Sequence, residues 1–129
     1  MNLTTTTEGF GQDDQSWLAS AHGTDTARTI TLDTSTFTAG THYPDGYFPS
    51  GLALGKITAS GLYGPYDDTA TDGTEVLAGF LFTAVAAPSV DTIDPQAALL
   101  WHGAVLDAKL PVAVDSAGKS DVAGRIVFF

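Results

Sequence analysis

The sequence predicts a mainly β domain built around a sharply bent ribbon, with one short helix and a flexible N-terminal arm. Three observations carry that expectation. The stretch from Pro49 to Phe82 alternates short runs of Leu, Ile, Tyr and Phe with Gly51, Gly55, Gly61, Gly64 and Gly73, while Pro49 and Pro65 fix φ and withhold a donor. In ARTITLDTSTF, Ile30 and Leu32 fall on one side and Thr29, Thr31 and Asp33 on the other, the period of a half-buried strand. In TEVLAGFLFTAVAA, Val76, Ala78, Phe80, Phe82 and Ala84 form one apolar side and Leu77, Gly79, Leu81 and Val85 another, so that strand is covered on both faces.

The elements follow in order. Residues 1–26 are mostly Thr, Asp, Gln, Gly and Ser, with Leu3, Phe10, Trp17 and Leu18 as isolated apolar points and no periodic face. They read either as a frayed terminus or as an arm that orders on a partner, with those four side chains as its anchors; Trp17 alternatively caps the domain's own core. Residues 27–129 read as the compact domain. Its first strand ends before the turn Pro44-Asp45-Gly46, which combines a preset φ, a side-chain acceptor and a residue tolerant of positive φ. LALGKITA, GLYGPYD and the two-faced apolar strand follow. Asp94-Pro95 has the form of a helix cap, yet ALLWH soon after suits a strand, so Ala97 to His102 is expected as strand and Ala104 to Leu110 as a helix ended by Pro111. AGRIVFF reads as a closing strand locked into the sheet.

Composition excludes several classes. The 129 residues, 43% hydrophobic, suit one domain with a real core. No apolar run approaches the roughly 18 residues of a membrane span, and MNLTTTTEGFGQDDQSW has neither the basic start nor the apolar middle of a secretory signal. With no cysteine there are no disulfides or thiolate metal sites. A formal charge of −10 repels a phosphate backbone and argues against nucleic acid as a partner.

Reactive constellations fail on inspection. Gly118-Lys119-Ser120 imitates the end of a phosphate loop, but Ala113 stands where its first glycine belongs and a strand is expected to follow. Asp68, Asp72 and Gly73 imitate a calcium loop, with Ala70 at a ligand position and Gly79 in place of the bidentate Glu; an irregular site would draw on Asp67, Asp68, Asp72 and Glu75, and a polar hairpin turn is the simpler account. His22, His42 and His102 are far apart and form no HxH or HxxxH spacing. There is no GxSxG elbow, and Ser60 and Ser116 sit in turn contexts. The pairs Asp13-Asp14 and Asp67-Asp68 read as solvated loop carboxylates. No catalytic, metal-binding or cofactor-binding residue is therefore expected, and the chain is read as a non-enzyme.

The order of PSG-LALGKI, a turn ending in Thr71-Asp72-Gly73, EVLAGFLFTAVAA, LLWHGAVLDAKLP and AGRIVFF, spanning Ala27 to Phe129, resembles the lambda-type head decoration proteins of tailed bacteriophages. The resemblance implies a β-clip fold, a bent two-stranded ribbon whose ends form an incomplete barrel, assembled as a homotrimer. It further implies a structural virion component made in the bacterial host cytoplasm. On the outer surface of the expanded capsid it would cement the shell against DNA pressure, its arm ordered on the major capsid protein. Two other classes compete. A small ligand- or carbohydrate-binding β module would use Tyr43, Tyr47, Tyr63, Tyr66 and Trp101 as platforms. An enzyme akin to β-clip nucleotide hydrolases would need acidic metal ligands and phosphate-binding residues that the sequence does not assemble.

Overall fold

A computed structural model describes residues 14–129. Among them are nine strands: β1 (Arg28–Thr31), β2 (Tyr47–Phe48), β3 (Ala53–Lys56), β4 (Tyr63–Pro65), β5 (Leu77–Leu81), β6 (Val85–Ala86), β7 (Gln96–Leu100), β8 (Gly103–Val105) and β9 (Ile126–Phe128). Two short helices, α1 (Ala39–His42) and α2 (Ser116–Asp121), and 3-10 turns at Thr24–Thr26, Thr34–Thr36 and Asp107–Lys109 complete the described elements. The protein is mainly β, as expected.

Five strands form one antiparallel sheet in the order β1-β7-β5-β3-β4. The sheet curls until its two edges touch at one bridge, where Leu32, just beyond β1, meets Tyr63 of β4 and Asp33 N donates to Tyr63 O at 2.8 Å. A single bridge does not close a barrel, so the enclosure stays incomplete. The β3–β5 register shifts between Leu54 and Gly55, and such a bulge bends the strand that carries it. β2 pairs with β6, and β8 pairs in parallel with β9. The Pro44-Asp45-Gly46 turn precedes β2, with Gly46 at φ +83°.

The curled sheet has apolar side chains on both faces because neighbouring residues point opposite ways. Leu54, Leu81 and Leu99 join Ile30, Leu32, Phe37, Phe48 and Leu52 in one buried cluster. Their sequence neighbours Ala53, Phe80 and Leu100 join a second cluster, with Leu77, Val105, Val114, Val122 and Ile126. The strands after the bend thus carry two cores. The fifth strand is apolar on both faces, Phe80 in one cluster and Leu81 in the other, but the expected faces hold only in part: the irregular pairing opposite Gly55 puts Leu77 with Phe80 and not with Leu81, the strand ends at Leu81, and Val76 lies before it, 53% exposed.

The C-terminal third departs from expectation. Ala104 to Leu110 is not a helix: Ala104 and Val105 belong to β8, and only Asp107–Lys109 makes a 3-10 turn. The cause is non-local, since β8 finds backbone partners in β9, and Phe129 N donates to Val105 O at 2.9 Å. Asp94 caps no helix; its carboxylate accepts from Thr34 N at 3.1 Å, and Pro95 O from Leu32 N at 2.9 Å. The helix lies instead at α2, where the Asp115 carboxylate accepts from Gly118 N at 2.8 Å as a cap. Gly118-Lys119-Ser120 therefore sits inside a helix, with β9 the next element after it. The final strand pairs with β8 and not with the five-stranded sheet; Ile126 is buried, but Val127 and Phe129 are 55% and 71% exposed.

Candidate functional site

Of the four proposed anchors, Leu3 and Phe10 lie outside the described residues. Trp17 is 1% exposed and takes the second of its two expected roles, a cap on the domain's own core. Its ring packs on Phe80 with centroids 5.8 Å apart. Nε1 donates to Ser50 Oγ at 2.9 Å, and Ser50 Oγ donates onward to Phe82 O at 2.6 Å, so the indole's polar end is satisfied inside the core. Gly51, at φ +91°, makes room: a Cβ there would stand 2.9 Å from the Trp17 ring. Gln15 Nε2 also donates to Phe82 O, at 2.8 Å.

Leu18 is half-buried and forms an antiparallel bridge with Val105. Leu106 N donates to Trp17 O at 2.6 Å and Ala19 N to Ala104 O at 3.0 Å. β8 is thereby flanked by β9 on one side and by the segment around Leu18 on the other. The chain enters the described structure at Asp14, beside a cleft of about 300 Å³ lined among others by His42, Asp45, Tyr47, Ser50 and Lys109. The Asp14 carboxylate accepts from Ser16 N at 3.0 Å, which holds it below the usual carboxylate range.

The acidic loop is organised by its own threonines. Asp67 accepts from Thr69 Oγ1 at 2.7 Å and from Thr69 N at 3.0 Å; Asp72 accepts from Thr74 Oγ1 at 2.6 Å and from Thr74 N at 3.1 Å. These bonds, the hydroxyl ones foremost, hold both carboxyls below their ordinary value. Glu75 accepts from Gly73 N at 2.8 Å. Among the described residues no group of three or more His, Cys, Asp or Glu is placed to hold a metal ion. The loop is a turn held by side-chain acceptors.

The groups that a phosphate would need are engaged elsewhere. Gly118 N points to Asp115, and Lys119 Nζ pairs with Asp107 Oδ2 at 2.7 Å. Ser60 Oγ accepts from Leu62 N at 3.3 Å within its turn, and Ser116 opens α2. The aromatic residues proposed as ligand platforms are divided between internal duties. Tyr43, Tyr63 and Trp101 pack against the cluster of Ile30, Phe48 and Leu54, and Tyr66 against the other. Tyr66 Oη donates to Asp115 at 2.7 Å; burial, then that neighbouring carboxylate, pushes its phenol well above the ordinary value. Tyr47 lines the cleft.

Two of the three histidines that the sequence separates are brought into contact. The rings of His22 and His102 have centroids 4.7 Å apart. His42 is apart from them, its Nδ1 accepting from Thr38 N at 2.8 Å and its ring edge-on to Phe37. No local pattern in the sequence marks the His22–His102 pair or the Trp17–Ser50–Phe82 chain, because each joins segments that only the fold brings together.

A buried aromatic root, a curled β-domain and carboxylates committed to turns describe a scaffold more than a reaction centre. Compared with known families, residues 14–123 match the model of the bacteriophage lambda head decoration protein D. The chain belongs to that family. The match takes in Trp17 and the segment along β8, and so begins earlier than the resemblance from Ala27 onward. No curated protein and no solved structure matched the chain. Head decoration proteins are structural proteins of the phage capsid, and membership assigns this chain to the capsid surface of a virion. No helix among the described residues is long and apolar enough to cross a membrane.

Proposed function

We propose that this protein binds the outer surface of the expanded phage capsid as a homotrimer and cements the shell against the pressure of packaged DNA. The family match over residues 14–123 is the observation that carries this reading. The physical logic needs no chemistry. A protein that binds the expanded lattice and not the contracted one shifts the equilibrium toward expansion by its binding free energy. Repetition over a lattice makes modest contacts at each position sufficient. The protein acts by shape and surface and not as an enzyme, its partners being two copies of itself and the major capsid protein.

The arm belongs to the same proposal in altered form. Trp17 and Leu18 serve as its root, fixing where the chain leaves the domain, while Leu3 and Phe10 in residues 1–13 are the anchors left to engage the capsid protein. Strand addition to an exposed sheet edge suits so polar a segment, with main-chain groups giving affinity and the two apolar side chains giving register.

The test is to mix the protein with bare expanded capsids and image the particles, alongside a mass measurement in solution. Trimeric density at the local three-fold positions and a trimer mass are expected. A stable monomer that leaves the capsids bare overturns the proposal.

A further inference from the structure

We propose that His22 and His102 form a two-imidazole chelate for a divalent transition cation of the zinc, nickel or copper(II) kind, with the remaining coordination positions open to water. Two imidazoles that share one zinc at Zn–N distances of 2.0–2.1 Å hold their ring centres about 5 Å apart. The rings of His22 and His102 already stand 4.7 Å apart, tilted by 54°. Among the described residues neither ring makes a hydrogen bond, so no described residue engages their nitrogens. His22 is exposed and His102 half-buried, which leaves the pair reachable from solvent.

The pair is set by a close crossing of two His-Gly dipeptides. Gly23, at φ +82°, lies so near the His102 carbonyl that a Cβ there would collide with it. A Cβ on Gly103 would stand 2.8 Å from His22 O. The two backbones are thus in contact beside the rings, and bringing the imidazoles together requires no further ordering of the chain. Preorganisation of this kind removes part of the entropic cost of chelation.

Ligand type selects the metal. Imidazole nitrogen suits zinc, nickel and copper, whereas calcium and magnesium take oxygen ligands. Arg28, whose guanidinium carbon is 4.5 Å from the Trp101 ring centre next to His102, opposes any cation electrostatically. The formal charge of −10 on the whole chain acts the other way. With these fields opposed, the bonds to nitrogen decide, and those favour the transition metals. A bound ion would tie the segment that carries Trp17 and Leu18 to the turn between β7 and β8.

The experiment uses the full untagged chain, titrated with Ni²⁺ and Zn²⁺ by calorimetry and with Cu²⁺ by electron paramagnetic resonance. A 1:1 site is expected, with nitrogen hyperfine structure from two imidazoles and a rise in Tm on adding Zn²⁺ but not Mg²⁺. His22→Gln and His102→Gln should each weaken Ni²⁺ binding by about tenfold or more and abolish the Zn²⁺ shift in Tm. His42→Gln removes the one other histidine and should change neither. Equal Ni²⁺ affinity in wild type and His22→Gln, or an equal loss in His42→Gln, overturns the site. Neither result depends on capsid binding or on trimer formation.

Discussion

His42 is the side chain through which pH should reach this fold most directly. Burial pushes its imidazole below the ordinary value of 6.5, and its Nδ1, accepting from Thr38 N at 2.8 Å, must be unprotonated to do so. The sign follows from linkage. The unfolded chain takes up a proton at His42 near 6.5 that the folded chain resists, so stability is fully present above that pH and is lost as pH falls toward the depressed folded value. Urea midpoints measured at several pH values just below 6.5 should decline in the wild type. In His42→Gln that contribution should vanish, and an unchanged slope would show that other groups carry it. Trp17 works at the same scale but through packing: its indole is closed off by Phe80 and by the consecutive Ser50 hydroxyl and Gly51, two segments distant from it in the chain.

Among the elements, α2 and β8 show how local chemistry succeeds or fails. α2 spans only Ser116–Asp121, with glycine inside it, so its own propensity is poor. Its cap and its contacts compensate. Asp115 accepts from Gly118 N and from Tyr66 Oη, and Asp121 accepts from Leu77 N at 2.9 Å, which ties the helix to β5. Replacing Asp115 by Ala should lower the denaturant midpoint, as loss of a helix cap does. The double variant with Tyr66→Phe should cost less than the sum of the two single variants, since both remove one shared bond. Denaturant unfolding of the four proteins measures this, and strict additivity would refute the coupling. β8 has the opposite history: GAVLDAKL passes for a helix by composition, yet its backbone partners are β9 and the segment at Leu18.

At the scale of the molecule, the curled sheet and the segment entering at Asp14 form one packing unit, and truncation should expose the boundary. A variant lacking residues 1–13 keeps Trp17 and should retain the wild-type Tm while losing occupancy on expanded capsids. A variant lacking residues 1–26 also loses the indole from the core and the backbone bonds around Leu18, and should be destabilised at least as much as Trp17→Ala, which costs about 3–5 kcal/mol. Thermal melts and capsid-binding gels on the three variants separate the two effects. Unchanged occupancy without residues 1–13 would defeat the arm proposal, and an unchanged Tm without residues 1–26 would contradict the burial of Trp17. The Leu32–Tyr63 bridge marks the other limit of the fold, where the sheet edges meet at one point and the barrel stays open.

The sequence by itself determined the mainly β class, the turn at Pro44-Asp45-Gly46, the presence of an apolar strand across Leu77–Leu81 and the family, because alternation, turn chemistry and linear order are local properties of a chain. Only the tertiary structure decided that Trp17 belongs to the core, that Ala104 and Val105 form a strand, that the helix lies at Ser116–Asp121, and that His22 meets His102. Each of these depends on a partner distant in the chain: Ser50 and Phe80 for Trp17, Ile126–Phe128 for β8, Tyr66 and Leu77 for α2, Gly103 for His22. A hydrogen bond or a packed ring between such segments leaves no period in either one, so it becomes visible only once the chain has folded back on itself.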